Sequence, residues 1–69
     1  MTQGDRVLAA IDELLAQQIK GAADLAWLRV SGGEKIDISV AKFMTVFDQL
    51  VDLHEKIRAA AAHKFGVAA

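Results

Sequence analysis

The residues of this chain with the clearest capacity for chemistry sit in one stretch. Asp48, Asp52 and Glu55 are spaced i, i+4 and i+7, and His54 and Arg58 stand one turn apart among them. On a helix this spacing stacks the carboxylates into an acidic stripe. Like charges at i, i+4 repel by roughly 0.2–0.5 kcal/mol. Lys56 relieves Asp52 from four residues on, whereas Asp48 has no basic residue at that spacing. The stripe reads either as a solvated polar face or as a docking surface for a basic partner. Surfaces that read nucleic acid are basic, so a carboxylate row can occupy one in place of phosphates.

His54 and Arg58 fall within the apolar arc of the same helix, where an unpaired Arg is rare. Arg58 reads in three ways: its guanidinium snorkels to water, it pairs with a carboxylate of the first helix or of another subunit, or it binds a partner. His54 reads as a hydrogen-bonded interface histidine or as a pH-sensitive contact. Trp27, the only tryptophan, has Arg29 two residues on. In an extended segment both would share a face, and Trp and Arg are the types enriched at binding hot spots. Trp27 reads equally well as a lid on the core between helices.

Catalysis finds no foothold. His54 and His63 share neither an i, i+4 relation nor a common zinc spacing. Gly32-Gly33 lacks the Lys and Ser/Thr of a phosphate loop. Ser31 and Ser39 lack the context of a nucleophile elbow. Asp12 and Glu13 diverge on a helix. No enzyme, metal or cofactor is expected.

The elements that must position these groups follow from periodicity. Val7, Ile11, Leu14, Leu15, Gln18, Ala22 and Leu25 recur at helical spacing, with Asp12 and Glu13 on the other side. Asp5 suits the positive end of this helix. Gly21 costs about 1 kcal/mol in a helix interior, so the pattern predicts a helix over about 5–20, extending at most to 26. From 27 to 38, Leu28 and Val30 flank Arg29, Ile36 and Ile38 flank Asp37, and Gly32-Gly33 lies between. Gly-Gly between short alternating runs is a hairpin signal, and a short β-ribbon is expected. A second helix is expected over about 39–64, with Ser39 as N-cap and Gly66 at the C′ position.

On that second helix Val40, Phe43, Met44, Val46, Phe47, Leu50, Val51, Leu53, Ile57 and Ala61 fill an arc of roughly 180°, where a helix covering one core needs roughly 100°. The excess calls for another partner. The fold expected is therefore mainly α: an antiparallel helical hairpin with a short β-ribbon connector, paired into a homodimer with a four-helix core. Its core and dimer residues are Val7, Ile11, Leu14, Leu15, Phe43, Phe47, Leu50, Val51, His54 and Ile57.

Composition bounds the rest. With 69 residues, 54% of them hydrophobic, the chain is one small domain, and with no cysteine it has no disulfide or thiolate staple. Its net charge of −1 and the lack of a Lys/Arg run argue against nucleic-acid binding. No apolar run approaches the ~20 residues of a membrane span. The opening Met-Thr-Gln-Gly-Asp-Arg has no signal-peptide pattern, so a cytosolic protein is expected.

Length and order, with the opening Met1-Thr2-Gln3-Gly4-Asp5-Arg6-Val7-Leu8, the central Trp27-Leu28-Arg29-Val30-Ser31-Gly32-Gly33 and Phe43-Met44-Thr45-Val46-Phe47, resemble the quorum-sensing anti-activators of phages that infect pseudomonads. The resemblance implies a homodimeric, non-enzymatic inhibitor in the host cytoplasm. Such a protein binds the DNA-binding domain of a LuxR-type activator and blocks its promoter binding. It also binds the type IV pilus assembly ATPase, which limits superinfection. The resemblance assigns no contact residues; from their chemistry, the candidates are Asp48, Asp52, Glu55, Trp27, Arg29 and Arg58. Helix, ribbon and helix in this length are also similar to small phage head-completion proteins. Those tend to carry basic tails, unlike Gly66-Val67-Ala68-Ala69. A toxin–antitoxin or regulatory partner is the third class.

Overall fold

A computed structural model describes residues 2–67. It contains an antiparallel pair of helices, α1 (Gln3–Ser31) and α2 (Ile36–Phe65). The helices have 29 and 30 residues, about 44 Å at 1.5 Å per residue. That length accounts for the long axis of a body measuring 48 × 18 × 10 Å, one helix thick.

Capping sets where α1 starts. Thr2 Oγ1 accepts the Asp5 amide at 3.1 Å, and Asp5 Oδ2 accepts the Thr2 amide at 3.2 Å, a reciprocal capping box. Asp5 is thus the answering residue of the box and Thr2 is the cap. The helix does not stop near Lys20. It runs through Gly21, whose cost is offset because Ala22, Ala26, Arg29 and Val30 beyond it pack against α2.

The β-ribbon expected over 27–38 is replaced by helix on both sides of a tight turn. Runs as short as Leu28–Val30 and Ile36–Ile38 cannot distinguish a period of 2 from one of 3.6. An established helix gains one hydrogen bond for each residue it adds, whereas a lone two-stranded ribbon has no sheet to join. Gly33 ends α1 at φ +106°, its amide donating to Val30 O at 3.0 Å while the Glu34 amide donates to Arg29 O at 2.9 Å. That pair of bonds is a Schellman stop. The Gly-Gly pair is a helix terminator here, with positive φ needed only at Gly33. Gly66, at φ 68°, ends α2 in the same way, with the Val67 amide donating to Ala62 O at 3.0 Å.

Ser39 does not cap α2. That helix begins at Ile36 behind Lys35, which makes no side-chain cap bond. Ser39 instead turns inward, 1% exposed, and its Oγ donates to Ala26 O at 2.7 Å. Its small side chain lets the helices approach closely beside the turn. At the far end Gly4 does the same: a Cβ built there would lie 2.9 Å from Phe65 Cβ. Between these close approaches lie Leu8, Ile11, Leu15, Ile19 and Ala22 of α1, facing Phe43, Phe47, Leu50, His54, Ala61 and Phe65 of α2. The Phe43 and Phe47 rings are 6.1 Å apart.

This interior is thin. Among the described residues, Leu8 and Ala62 are the only buried hydrophobic residues. Leu14 and Ile57, both expected in the core, are exposed. Replacing Gly33 by Ala forces an L-residue into positive φ and is predicted to cost about 1–2 kcal/mol. Urea unfolding followed by circular dichroism measures this, with Gly32→Ala, at a position of negative φ, as the milder comparison.

Candidate functional site

Each helix carries a second apolar row that overlaps the edge of the one facing its partner helix, sharing Ile11 on α1 and Phe43 and Leu50 on α2 with it. On α1 this row is Val7, Ile11, Leu14, Gln18, Gly21, Leu25 and Leu28; on α2 it is Phe43, Val46, Leu50, Leu53, Ile57 and Ala60. Both step alternately by three and four, the 3.5-residue period with which helices pack side by side. Along the middle of the hairpin, at Ile11, Leu14 and Gln18 and at Leu50, Leu53 and Ile57, the two rows lie on the same broad face. Leu14 is 58% exposed, Leu53 54% and Leu28 65%. Between the rows runs an open groove of about 170 Å³, lined by Ile11, Leu14, Leu15 and Gln18 from α1 and by Leu50, Leu53, His54 and Ile57 from α2.

A polar clasp reaches across the helices at the same level. His54 Nε2 donates to Asp12 Oδ1 at 2.7 Å. Arg58 Nη1 donates to both Asp12 oxygens, at 3.0 and 2.9 Å. The His54 hydrogen bond, with the Arg58 charge, holds the Asp12 carboxyl below its ordinary value of 3.8. Sequence reading placed Asp12 on the solvent side and missed it. The signal was present: an arginine and a histidine one turn apart in an apolar arc call for an acceptor at the same height, and an antiparallel partner brings the early part of α1 there. Arg58 therefore takes the intrachain ion pair among its three readings.

The remaining candidates separate. Asp48, Asp52 and Glu55 are exposed on the flank of α2 opposite the second apolar row. Lys56 Nζ pairs with Asp52 Oδ2 at 3.0 Å, while Asp48 and Glu55 have no ion-pair partner among the described residues. Trp27 and Arg29 do not share a face, because their segment is helical: Trp27 is 68% exposed and Arg29 is half-buried toward α2. Val7, Ile11, Leu15, Phe43, Phe47, Leu50, Val51 and His54 are half-buried. Among the described residues there is no group of His, Cys, Asp and Glu that could hold a metal ion. No helix of the described residues is long and apolar enough to cross a membrane.

What this arrangement offers is contact: an apolar face on one side and free carboxylates on the other. Comparison with protein-family models, curated proteins and solved structures finds no match.

A carboxylate with a lowered value in the folded state stabilises the fold above its ordinary range, and that contribution is lost as pH falls through the lowered value. The stability gap between the natural chain and Asp12→Asn should therefore be present above the ordinary carboxylate range. It should shrink between about pH 5 and about pH 2. Urea titrations across that range check it; a gap that does not change would detach the clasp from stability.

Proposed function

We propose that the chain is a homodimeric, non-enzymatic inhibitor that acts by protein–protein contact in a host cytoplasm. It binds the DNA-binding domain of a LuxR-type quorum-sensing activator and keeps it from its promoter. It also binds the type IV pilus assembly ATPase, excluding superinfecting phage. The partners come from the resemblance in the sequence; contact as the mode of action comes from the apolar face.

The single observation that carries the contact reading is the exposed second row. The accessible surface is 5090 Å², against about 4,200 Å² for a compact monomer of 7.4 kDa. The radius of gyration is 15.4 Å, against about 11 Å for a compact chain of this length. The surplus, roughly 900 Å², is close to the ~800 Å² that each partner covers in a stable interface. A second copy offers the same 3.5-residue row, so an isologous pair closes into a four-helix bundle. Gln18, a polar residue within the row, would fix the register of that pair. Asp48, Asp52 and Glu55 would stay on the outside, available to the basic surface with which an activator reads DNA.

The test is displacement of promoter DNA from the isolated DNA-binding domain of a LuxR-type activator, read by fluorescence anisotropy. The natural chain should release the DNA. Asp48→Lys/Asp52→Lys/Glu55→Lys should need at least a tenfold higher concentration while its helicity is unchanged. Failure of the natural chain to release DNA would overturn the inhibitor reading, and equal potency of the variant would remove the stripe from the contact.

A further inference from the structure

On each helix the second apolar row has a polar edge, on the side turned away from the other helix. At 100° per residue, Glu13, Gln17 and Asp24 fall within about 40° of one another on α1, and Lys42, Gln49 and Lys56 within about 40° on α2. All six are exposed. Glu13 and Asp24 have no ion-pair partner among the described residues. Lys42 pairs with Glu34 and Lys56 with Asp52 of the same chain, yet their side chains stay 52% and 72% exposed. Each ammonium has three donors and can take a further carboxylate. Lys35 and Lys64 carry the basic edge of α2 to both of its ends. Arg6 and Lys20 also stand on the outer side of α1, near the heights of His63 and of Thr45 and Gln49 on α2.

The two edges match in height. The Asp12 bonds to His54 and Arg58 put Glu13 level with Lys56. The Ser39 bond to the Ala26 carbonyl puts Asp24 within a residue of Lys42. Gln18 lines one groove with Leu50 and Leu53, so Gln49 stands at its height. Two isologous closures can lay one second-row face on another. With the two-fold axis along the hairpin, both turns lie at one end and α1 packs on α2 of the second copy at unchanged height. Asp24 then meets Lys42, Gln18 meets Gln49 and Glu13 meets Lys56, each contact occurring twice. With the axis across the hairpin, the turns lie at opposite ends and each helix packs on its own copy. Glu13 and Asp24 stand at nearly equal distances on either side of Gln18, so this closure sets the one against the other. It also draws Lys42 toward Lys56 and Lys35 toward Lys64. Charges along such edges select partner and orientation, and like pairs oppose the closure that makes them.

We propose that the chain pairs with a second copy turn beside turn, α1 of each lying along α2 of the other. Asp24 with Lys42 and Glu13 with Lys56 form ion pairs between the copies, and Gln18 bonds Gln49 midway between them. Inside these edges Leu14 meets Leu53, Ile11 meets Ile57, and Gly21 leaves room for Val46. One end of the bundle then carries both turns and the other all four termini. The proposal rests on the homodimer reading and adds its orientation; it depends on no host partner.

The chain has no cysteine, so one introduced thiol carries a spin label without competition. Asp37→Cys places the label beside the turn, and at 100° per residue that position points away from the second row. Pulsed dipolar spectroscopy on the labelled full chain should give a separation well short of the 48 Å long axis. A separation close to that axis would place the turns at opposite ends and overturn the proposal. Glu13→Lys/Asp24→Lys supplies the second readout. It should weaken dimerisation at least tenfold in sedimentation, with unchanged far-UV circular dichroism. In the opposite-end closure the same variant only exchanges one like pair for another, so an undiminished affinity also overturns the proposal. The two readings fail separately. A chain that stays single refutes the homodimer and this orientation with it. A dimer with distant labels, or one indifferent to the charge reversal, refutes the orientation alone.

Discussion

Two helices laid side by side touch along one line, and each hides only the stripe that faces the other. A layer one helix thick has no inside, however apolar its sequence. The rest of this structure depends on that constraint. The helices of this chain are long and rich in Leu, Ile, Val and Phe, yet the side chains that bulk would normally enclose, such as Leu14, Leu28 and Leu53, stand in solvent. Two rods side by side have no second layer to enclose them.

What fixes the rods against each other is correspondingly discrete. Ser39 bonded to the Ala26 carbonyl sets the spacing and register beside the turn. The Asp12 clasp with His54 and Arg58 sets them nearer the open end, and Gly4 against Phe65 brings the termini together. Each contact is local and depends on one or two atoms. Together they make the hairpin specific while contributing little bulk to its interior. A scaffold of this kind holds its faces at a defined angle and leaves Leu14, Trp27, Leu28 and Leu53 exposed.

The sequence made the helical hairpin legible because heptad-like recurrence persists over many turns on both sides of Gly32-Gly33. The excess arc on the second helix was legible for the same reason. What it concealed were features decided by a few atoms. Runs of three residues around the Gly pair fitted strand and helix equally, so the connector was read as ribbon. Gly21 looked like a stop because propensity weighs the residue alone and not the packing beyond it. Ser39 looked like a cap because its value as a short interhelical donor appears only when Ala26 is opposite. Asp12 looked solvated because its partners lie on the other helix, more than forty positions along the chain. The acidic stripe and the exposed Trp27 were legible as residues; their placement on the face away from the second apolar row was not, since it depends on which side α1 takes.

We propose that the exposed second row is covered by another copy of the chain. Sedimentation equilibrium at micromolar concentration tests it most directly, run beside Leu14→Glu/Leu53→Glu. A species of twice the 7.4 kDa chain mass is expected for the natural protein, and loss of that species in the variant. A stably helical particle of a single chain mass, with Leu14 and Leu53 free in solvent, would contradict it.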